Sequence, residues 1–180
     1  EMLNRDWSSD VCSSDLANTR SHGLELNGHW RAGAGLTFSG GLAWISGSIR
    51  SHAVTNVPAG DVNVGNRLPD VPRLSALLAV QWQRALPAFW GLASPTLNAR
   101  LSVRHVGKRA NDPQNSFDLD SYRKVDLRVG IASGNAEFYI WGDNLANKQY
   151  DLYGYYLMHG LVNGAPARGR SFGLGLAYRF

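Results

Sequence analysis

Histidine, cysteine, serine and carboxylate residues are the side chains that do chemistry most often, and here their spacing is unhelpful to it. His22, His29, His52, His105 and His159 show no metal-ligand spacing, and neither an H-E-x-x-H run nor a Cys/His cluster is present, so no metal site is expected. His29, Ser102 and Asp126 fall on the polar positions of alternating segments and invite comparison with a hydrolase triad, but no nucleophile motif accompanies them and ordinary polar-face residues are the simpler reading. Gly33–Ala34–Gly35 and Gly173–Leu174–Gly175 lack the following helix that a phosphate loop needs. No catalytic residue and no cofactor is expected. Two groups remain as binding candidates. The loop cations Arg109, Arg123, Arg168 and Arg170 are suited to charge-assisted hydrogen bonds with an anionic chelate or a lipid phosphate, or to a solvated rim. Tyrosines 150, 153, 155 and 156 are suited to stacking on a planar ligand or to anchoring a strand end at a membrane surface.

The elements that would position these groups are strands. From His22 onward apolar residues recur at every second position, the period of a strand with one apolar and one polar face. At the C-terminus Phe172, Leu174, Leu176, Tyr178 and Phe180 alternate with Ser171, Gly173, Gly175, Ala177 and Arg179. Val125, Leu127, Val129 and Ile131 alternate with Asp126, Arg128, Gly130 and Ala132 in the same way. The pattern predicts seven strands at 22–32, 35–49, 72–84, 96–107, 123–132, 136–143 and 169–180. Short connections alternate with the long polar ones Ser51–Asp70, Lys108–Tyr122 and Asn144–Arg168, the arrangement of an up-and-down meander in a membrane, with turns at one end and loops at the other. Pairing in sequence order is expected, with free edges at the first and last strands.

The polar face decides between lipid and a soluble core. A sandwich would present Thr, Lys and Glu to water there, whereas these strands carry Gly, Ala and Ser with scattered Arg, Asp, Asn and Gln, which suits a crowded polar lumen. Strand lengths fit the ~9–11 residues that a tilted bilayer strand needs. Seven strands fall below the ~8 of the smallest bacterial barrels, so a fragment of a larger barrel is expected. The longest apolar run is Leu77–Val80, which excludes a spanning helix, and no secretory signal is encoded in this stretch. One cysteine, Cys12, excludes an internal disulfide.

Asp6–Leu16, DWSSDVCSSDL, has neither period and resembles the translation of a sequencing-adapter oligonucleotide, so residues 1–16 are set apart as an artefact and 17–180 as barrel. Setting aside Glu1, Asp6, Asp10, Asp15 and Arg5 leaves 17 basic against 10 acidic residues. Nucleic acid is not implied, because Arg31, Arg100, Arg104, Arg128 and Arg179 are spread over strand faces and interrupted by acids.

Four segments in order resemble the TonB-dependent outer-membrane receptors. GNRLPDVPRLSALLAVQW (Gly65–Trp82) is similar to the family's G-x-x-LP-x-VP approach to a strand, and Ser102–Ile131 to its V-x-x-VG-x-R loop and Y-x-x-VDL strand. EFYIWGDNLANKQYD (Glu137–Asp151) resembles the penultimate strand with its NL-x-(D/N)K-x-Y signature, and Gly164–Phe180 the last strand. The resemblance implies the all-β C-terminal piece of a 22-stranded plugged barrel in the bacterial outer membrane, taking up a scarce nutrient such as a ferric siderophore with energy from the TonB system. It also implies contact with outer-membrane lipid and lipopolysaccharide, ligand contacts from Arg109, Tyr153, Tyr155 and Arg168, and an assembly signal in Tyr178 and Phe180 for the barrel-assembly machinery. A passive porin or barrel enzyme is the alternative, and a soluble β-sandwich binding module the third.

Overall fold

The computed structural model describes residues 18–180, so the adapter-like stretch and Cys12 lie outside the described residues. The strands are β1 (Thr19–Gly33), β2 (Leu36–Ile49), β3 (Leu74–Ala85), β4 (Thr96–Val106), β5 (Arg109–Ala110), β6 (Asp118–Leu119), β7 (Tyr122–Ser133), β8 (Ala136–Asp143), β9 (Asp151–Met158), β10 (Leu161–Pro166) and β11 (Ser171–Tyr178), and no helix occurs among the described residues. Seven of them form one antiparallel sheet in the order β1-β2-β3-β4-β7-β8-β11. Each sheet strand therefore pairs with its neighbours in the meander, and β1 and β11 remain as open edges.

Register carries the sequence alternation across the whole sheet. Trp30 pairs with Phe38, Phe38 with Val80, Val80 with Leu101, Leu101 with Leu127, Leu127 with Gly142 and Gly142 with Phe172. A one-residue slip anywhere in that row would move a strand's entire apolar set to the other face. The opposite face runs Thr37, Gln81, Arg100, Arg128, Trp141 and Gly173 in the same manner. No second layer covers the apolar face among the described residues: Leu78 is 66% exposed, Trp30 65% and Leu174 72%. The well-buried apolar residues lie elsewhere, with Val62, Ala110 and Leu119 all under the long loops. A soluble sheet with this much bare hydrocarbon would associate through it.

On the polar face, glycine makes room for neighbours. A Cβ on Gly175 would collide with the ring of Tyr139, and one on Gly173 with the indole of Trp141. Both rings lie across β11, which is why the last strand alternates Gly with large apolar residues. Gly175→Val is expected to cost about 1–3 kcal/mol by overpacking. Thermal unfolding should show part of that loss recovered when Tyr139→Ala is added; a loss unchanged by the second substitution would mean that the ring contact is not the cause.

The connection Asn144–Arg168, expected as a long polar loop, contains the hairpin β9–β10, which turns at His159–Gly160 with Gly160 at φ +79°. Its register shifts at both ends, and it forms a separate two-stranded sheet. Residues 152–158 present large apolar side chains at both parities, so the run has no period of two to read.

Candidate functional site

At the loop end of the sheet three connections lock together through asparagine side chains and ion pairs. The Arg67 amide donates to Asn115 Oδ1 at 2.8 Å, and Asn115 Nδ2 donates back to the Arg67 carbonyl at 2.9 Å. Asn66 Nδ2 donates to the Pro113 carbonyl at 2.9 Å. Asp118 on β6 accepts from the Arg67 guanidinium and lies 3.3 Å from Lys108 Nζ. The first and second loops are thereby fixed to each other.

Arg109 fixes the second loop to the hairpin. Only 8% exposed, it places Nε 3.2 Å from Asp70 Oδ1 and donates from Nη2 to the Leu152 carbonyl at 2.8 Å. Asn111 Oδ1 accepts from the Gly154 amide at 3.0 Å, and Phe117 packs against Gly154 so closely that no Cβ would fit there. The start of β9 is therefore held from beneath by the loop that carries β5 and β6. A cleft of about 710 Å³ separates the two, with Asp118, Asp120, Lys148, Asp151 and Asn163 on its walls.

Asn144 anchors the hairpin from the other side. It is fully buried; its Nδ2 donates to the carbonyls of Lys148 (3.0 Å) and Arg168 (3.3 Å), and its Oδ1 accepts from the Lys148 amide at 3.0 Å. Its own amide donates to Asp126 Oδ1 at 2.9 Å. Three residues on, Asn147 Oδ1 accepts from the Arg170 amide at 2.9 Å. Tyr150 stacks on Tyr122 with ring centroids 3.7 Å apart and an interplanar angle of 11°. Burial, with the neighbouring Tyr122 as a second cause, raises the Tyr150 phenol above its ordinary pKa. The signature Asn144-Leu145-x-Asn147-Lys148-x-Tyr150 is thus a mechanical joint between the sheet and the hairpin.

The four residues expected to meet a ligand are placed differently from one another. Tyr153 and Tyr155 lie on β9, 48% and 60% exposed, with their rings in an edge contact at 5.5 Å. Arg168 is exposed beyond β10, has no ion-pair partner among the described residues, and gives its carbonyl to Asn144. Arg109 is buried, and its guanidinium supports the chain immediately before Tyr153. The Asp70 contact that fixes it joins residues 39 apart in sequence, which no local pattern announces. Tyr178 and Phe180 sit at the turn end, exposed, with centroids 5.2 Å apart.

The triad candidates do not meet. Ser102 and Asp126 are register partners, but His29 is separated from Ser102 by β2 and β3, with Ser39 and Ala79 between them. Three strand spacings amount to about 14 Å. Asp126 instead lies 3.4 Å from Lys124 Nζ and accepts from Asn144. No group of three or more His, Cys, Asp or Glu is placed to hold a metal ion among the described residues.

A family model described as TonB dependent receptor-like, beta-barrel, matches residues 6–145. The chain is 25% identical to the ferric yersiniabactin uptake receptor of Yersinia pestis, with a TM-score of 0.74 over 91% of this chain and 24% of that one. A siderophore receptor of Acinetobacter baumannii superposes with a TM-score of 0.71 at 19% identity, over 91% of this chain and 22% of its own. The ferric preacinetobactin receptor of the same organism gives 0.67 at 18% identity, over 90% and 22%. The chain therefore spans 22–24% of the length of these receptors.

Proposed function

The chain belongs to the family of TonB-dependent receptor β-barrels, and we propose from that membership that it forms part of an outer-membrane receptor for active uptake of a ferric siderophore. The observation that carries this reading is the uncovered apolar face, continuous over seven strands, capped at one end by three interlocked loops. Strands that face hydrocarbon must close on further strands to satisfy their edges, so β1 and β11 are where the rest of the wall joins. The siderophore receptors that superpose on it support the class of cargo. Energy would come from the TonB system acting through parts of the receptor beyond this chain. Lipid and lipopolysaccharide would surround the wall, and the barrel-assembly machinery would read the aromatic end, Tyr178 and Phe180.

In this reading the hairpin is the ligand-facing element. Tyr153 and Tyr155 offer ring faces and hydroxyls to a planar chelate, and Arg168 offers an uncommitted charge to an anionic one. Arg109 holds the strand that presents the tyrosines. Uptake of radiolabelled ferric complexes by iron-restricted cells carrying the parent gene tests the function. Transport that requires the proton-motive force supports it, and passive entry unaffected by an uncoupler points to a porin. Replacing Tyr153 and Tyr155 together by alanine is expected to weaken the cargo's half-saturation about tenfold, the size of two aromatic contacts of ~0.5–1.5 kcal/mol each. An unchanged value would take the tyrosines out of the site.

A further inference from the structure

We propose that the hairpin tip Phe89–Leu92, at the turn end of the sheet, docks a soluble protein that presents an apolar slot with an acidic rim. The inference rests on the outer-membrane reading above, which puts the turn end in the periplasm. It adds a contact that neither cargo binding nor wall formation requires.

Strain at the tip is the first observation. The connection from β3 to β4 continues the ladder as a narrow hairpin: the Leu86 amide donates to the Pro95 carbonyl at 2.8 Å, and the Leu92 amide to the Phe89 carbonyl at 2.8 Å. Pro95 is fully buried at its base. Trp90 and Gly91 make the turn, with φ at +48° and +79°. Two-residue turns with both central residues left-handed favour Asn-Gly, Asp-Gly or Gly-Gly, and a bulky side chain in that region is an outlier. The indole gains little within the chain in return, because it is 96% exposed and touches the Phe89 ring only edge-on, at 5.8 Å. Folding alone would be served better by glycine at position 90, and outliers of this kind persist where a surface binds something.

Composition and height identify the occupant. From Ala85 to Pro95 no residue is charged, and Ser94 alone has a polar side-chain group besides the indole N–H. The other turns at this end, Gly33–Ala34–Gly35 and Ser133–Gly134–Asn135, carry no large apolar side chain. Trp30 and Trp82 lie on the apolar face near this end, in the position of an interfacial aromatic belt. Trp90 is eight residues beyond Trp82. At about 3.3 Å per residue and a 45° tilt it stands up to ~19 Å farther out, whereas headgroups occupy only ~5–8 Å beyond the hydrocarbon. The tip therefore reaches water rather than lipid. A sugar polymer would need several polar side chains to fix its hydroxyls, and the tip offers only Ser94. Tryptophan is instead a foremost anchor of protein interfaces, seated in an apolar pocket. Charge gives the pocket its rim: Arg31, Arg84 and Arg179 at this end are exposed and have no ion-pair partner among the described residues, while the Glu137 carboxylate is taken by Arg128. Acidic residues around the partner's slot complement them.

The test places the photo-reactive residue p-benzoylphenylalanine at position 90 of the parent receptor in its own cells, with mass spectrometry identifying the adducts. A discrete adduct with a soluble protein is expected, and the same probe at position 135, on the neighbouring turn, should give far less. That protein is then purified and its equilibrium binding to the folded receptor in dodecyl maltoside is measured. Trp90→Gly should weaken binding about 30-fold, the loss of one interface anchor, while the receptor's thermal midpoint rises because the turn is relieved. Arg84→Ser should weaken binding about threefold, a loss that half-molar salt removes. Adducts confined to lipid, to glycan or to a second copy of the receptor would overturn the proposal, as would the absence of any adduct at position 90. Unchanged binding by the Trp90→Gly receptor would do the same, and so would a loss accompanied by a lower thermal midpoint, which would make the indole structural. Uptake driven by the proton-motive force without a protein adduct defeats the docking alone. A partner bound at position 90 of a receptor that admits its cargo only passively defeats the transport reading alone.

Discussion

Leu127→Arg is expected to destabilise the bilayer-embedded sheet by about 2–4 kcal/mol, the cost of an arginine at the midplane of a barrel's lipid face. Leu127 lies in the middle of β7, in the row that runs from Trp30 to Phe172, and is 37% exposed. In a water-soluble protein a charge at such a half-exposed position would change stability by less than about 0.5 kcal/mol. The size of the loss therefore reports the solvent. Ser39→Arg supplies the comparison, since Ser39 pairs with His29 and Ala79 on the polar face, one residue from Phe38 of the same row. It should cost under about 1 kcal/mol, because the new guanidinium reaches a hydrated lumen past a small neighbour. Guanidinium unfolding in phospholipid vesicles, followed by tryptophan fluorescence, measures both. Similar losses for the two variants would remove the assignment of the apolar face to lipid.

The two-residue period made that assignment readable before any coordinates. Where the solvents on the two sides of a sheet differ, the side chains must alternate, and Phe172 to Tyr178 or Val125 to Ile131 carry the record plainly. The hairpin β9–β10 left no such record, because Leu152, Tyr153, Tyr155, Tyr156 and Leu157 occupy both parities. Its turn was the available signal: His159–Gly160 between two apolar runs fits a tight hairpin. The family resemblance picked out Asn144, Asn147, Lys148 and Tyr150 as a string, but their work is three-dimensional. Asn144 spans to Arg168 and Asp126, residues 24 and 18 away, and Arg109 to Leu152 at 43. Loop locking depends on which distant carbonyl faces which amide, and local spacing holds no trace of that.

Asn144→Ala should cost about 3 kcal/mol and release the hairpin. The substitution strips a hydrogen bond from the Lys148 amide and from the carbonyls of Lys148 and Arg168 around a fully buried position, each loss being worth about 0.5–1.5 kcal/mol where water can partly refill the place. It also leaves an alanine at φ +51°, a left-handed conformation that asparagine tolerates and alanine adopts at a cost of about 1 kcal/mol or more. Asn144→Gly separates the two causes: the hydrogen bonds are gone but the backbone is at ease, so it should recover about 1 kcal/mol relative to alanine. Asn144→Asp keeps an acceptor for the Lys148 amide while turning an oxygen toward two carbonyls and adding charge near Asp126, so it should fare no better than alanine. Hydrogen exchange at the Lys148 and Arg170 amides reads the joint directly, and near-ultraviolet dichroism of the Tyr122–Tyr150 stack reads its consequence. Protection within twofold of wild type in the alanine variant would mean that the hairpin is carried by Arg109 and Asn111 alone. Arg109→Ala would then be expected to free β9, where otherwise it should only loosen the strand start at Leu152 and Gly154.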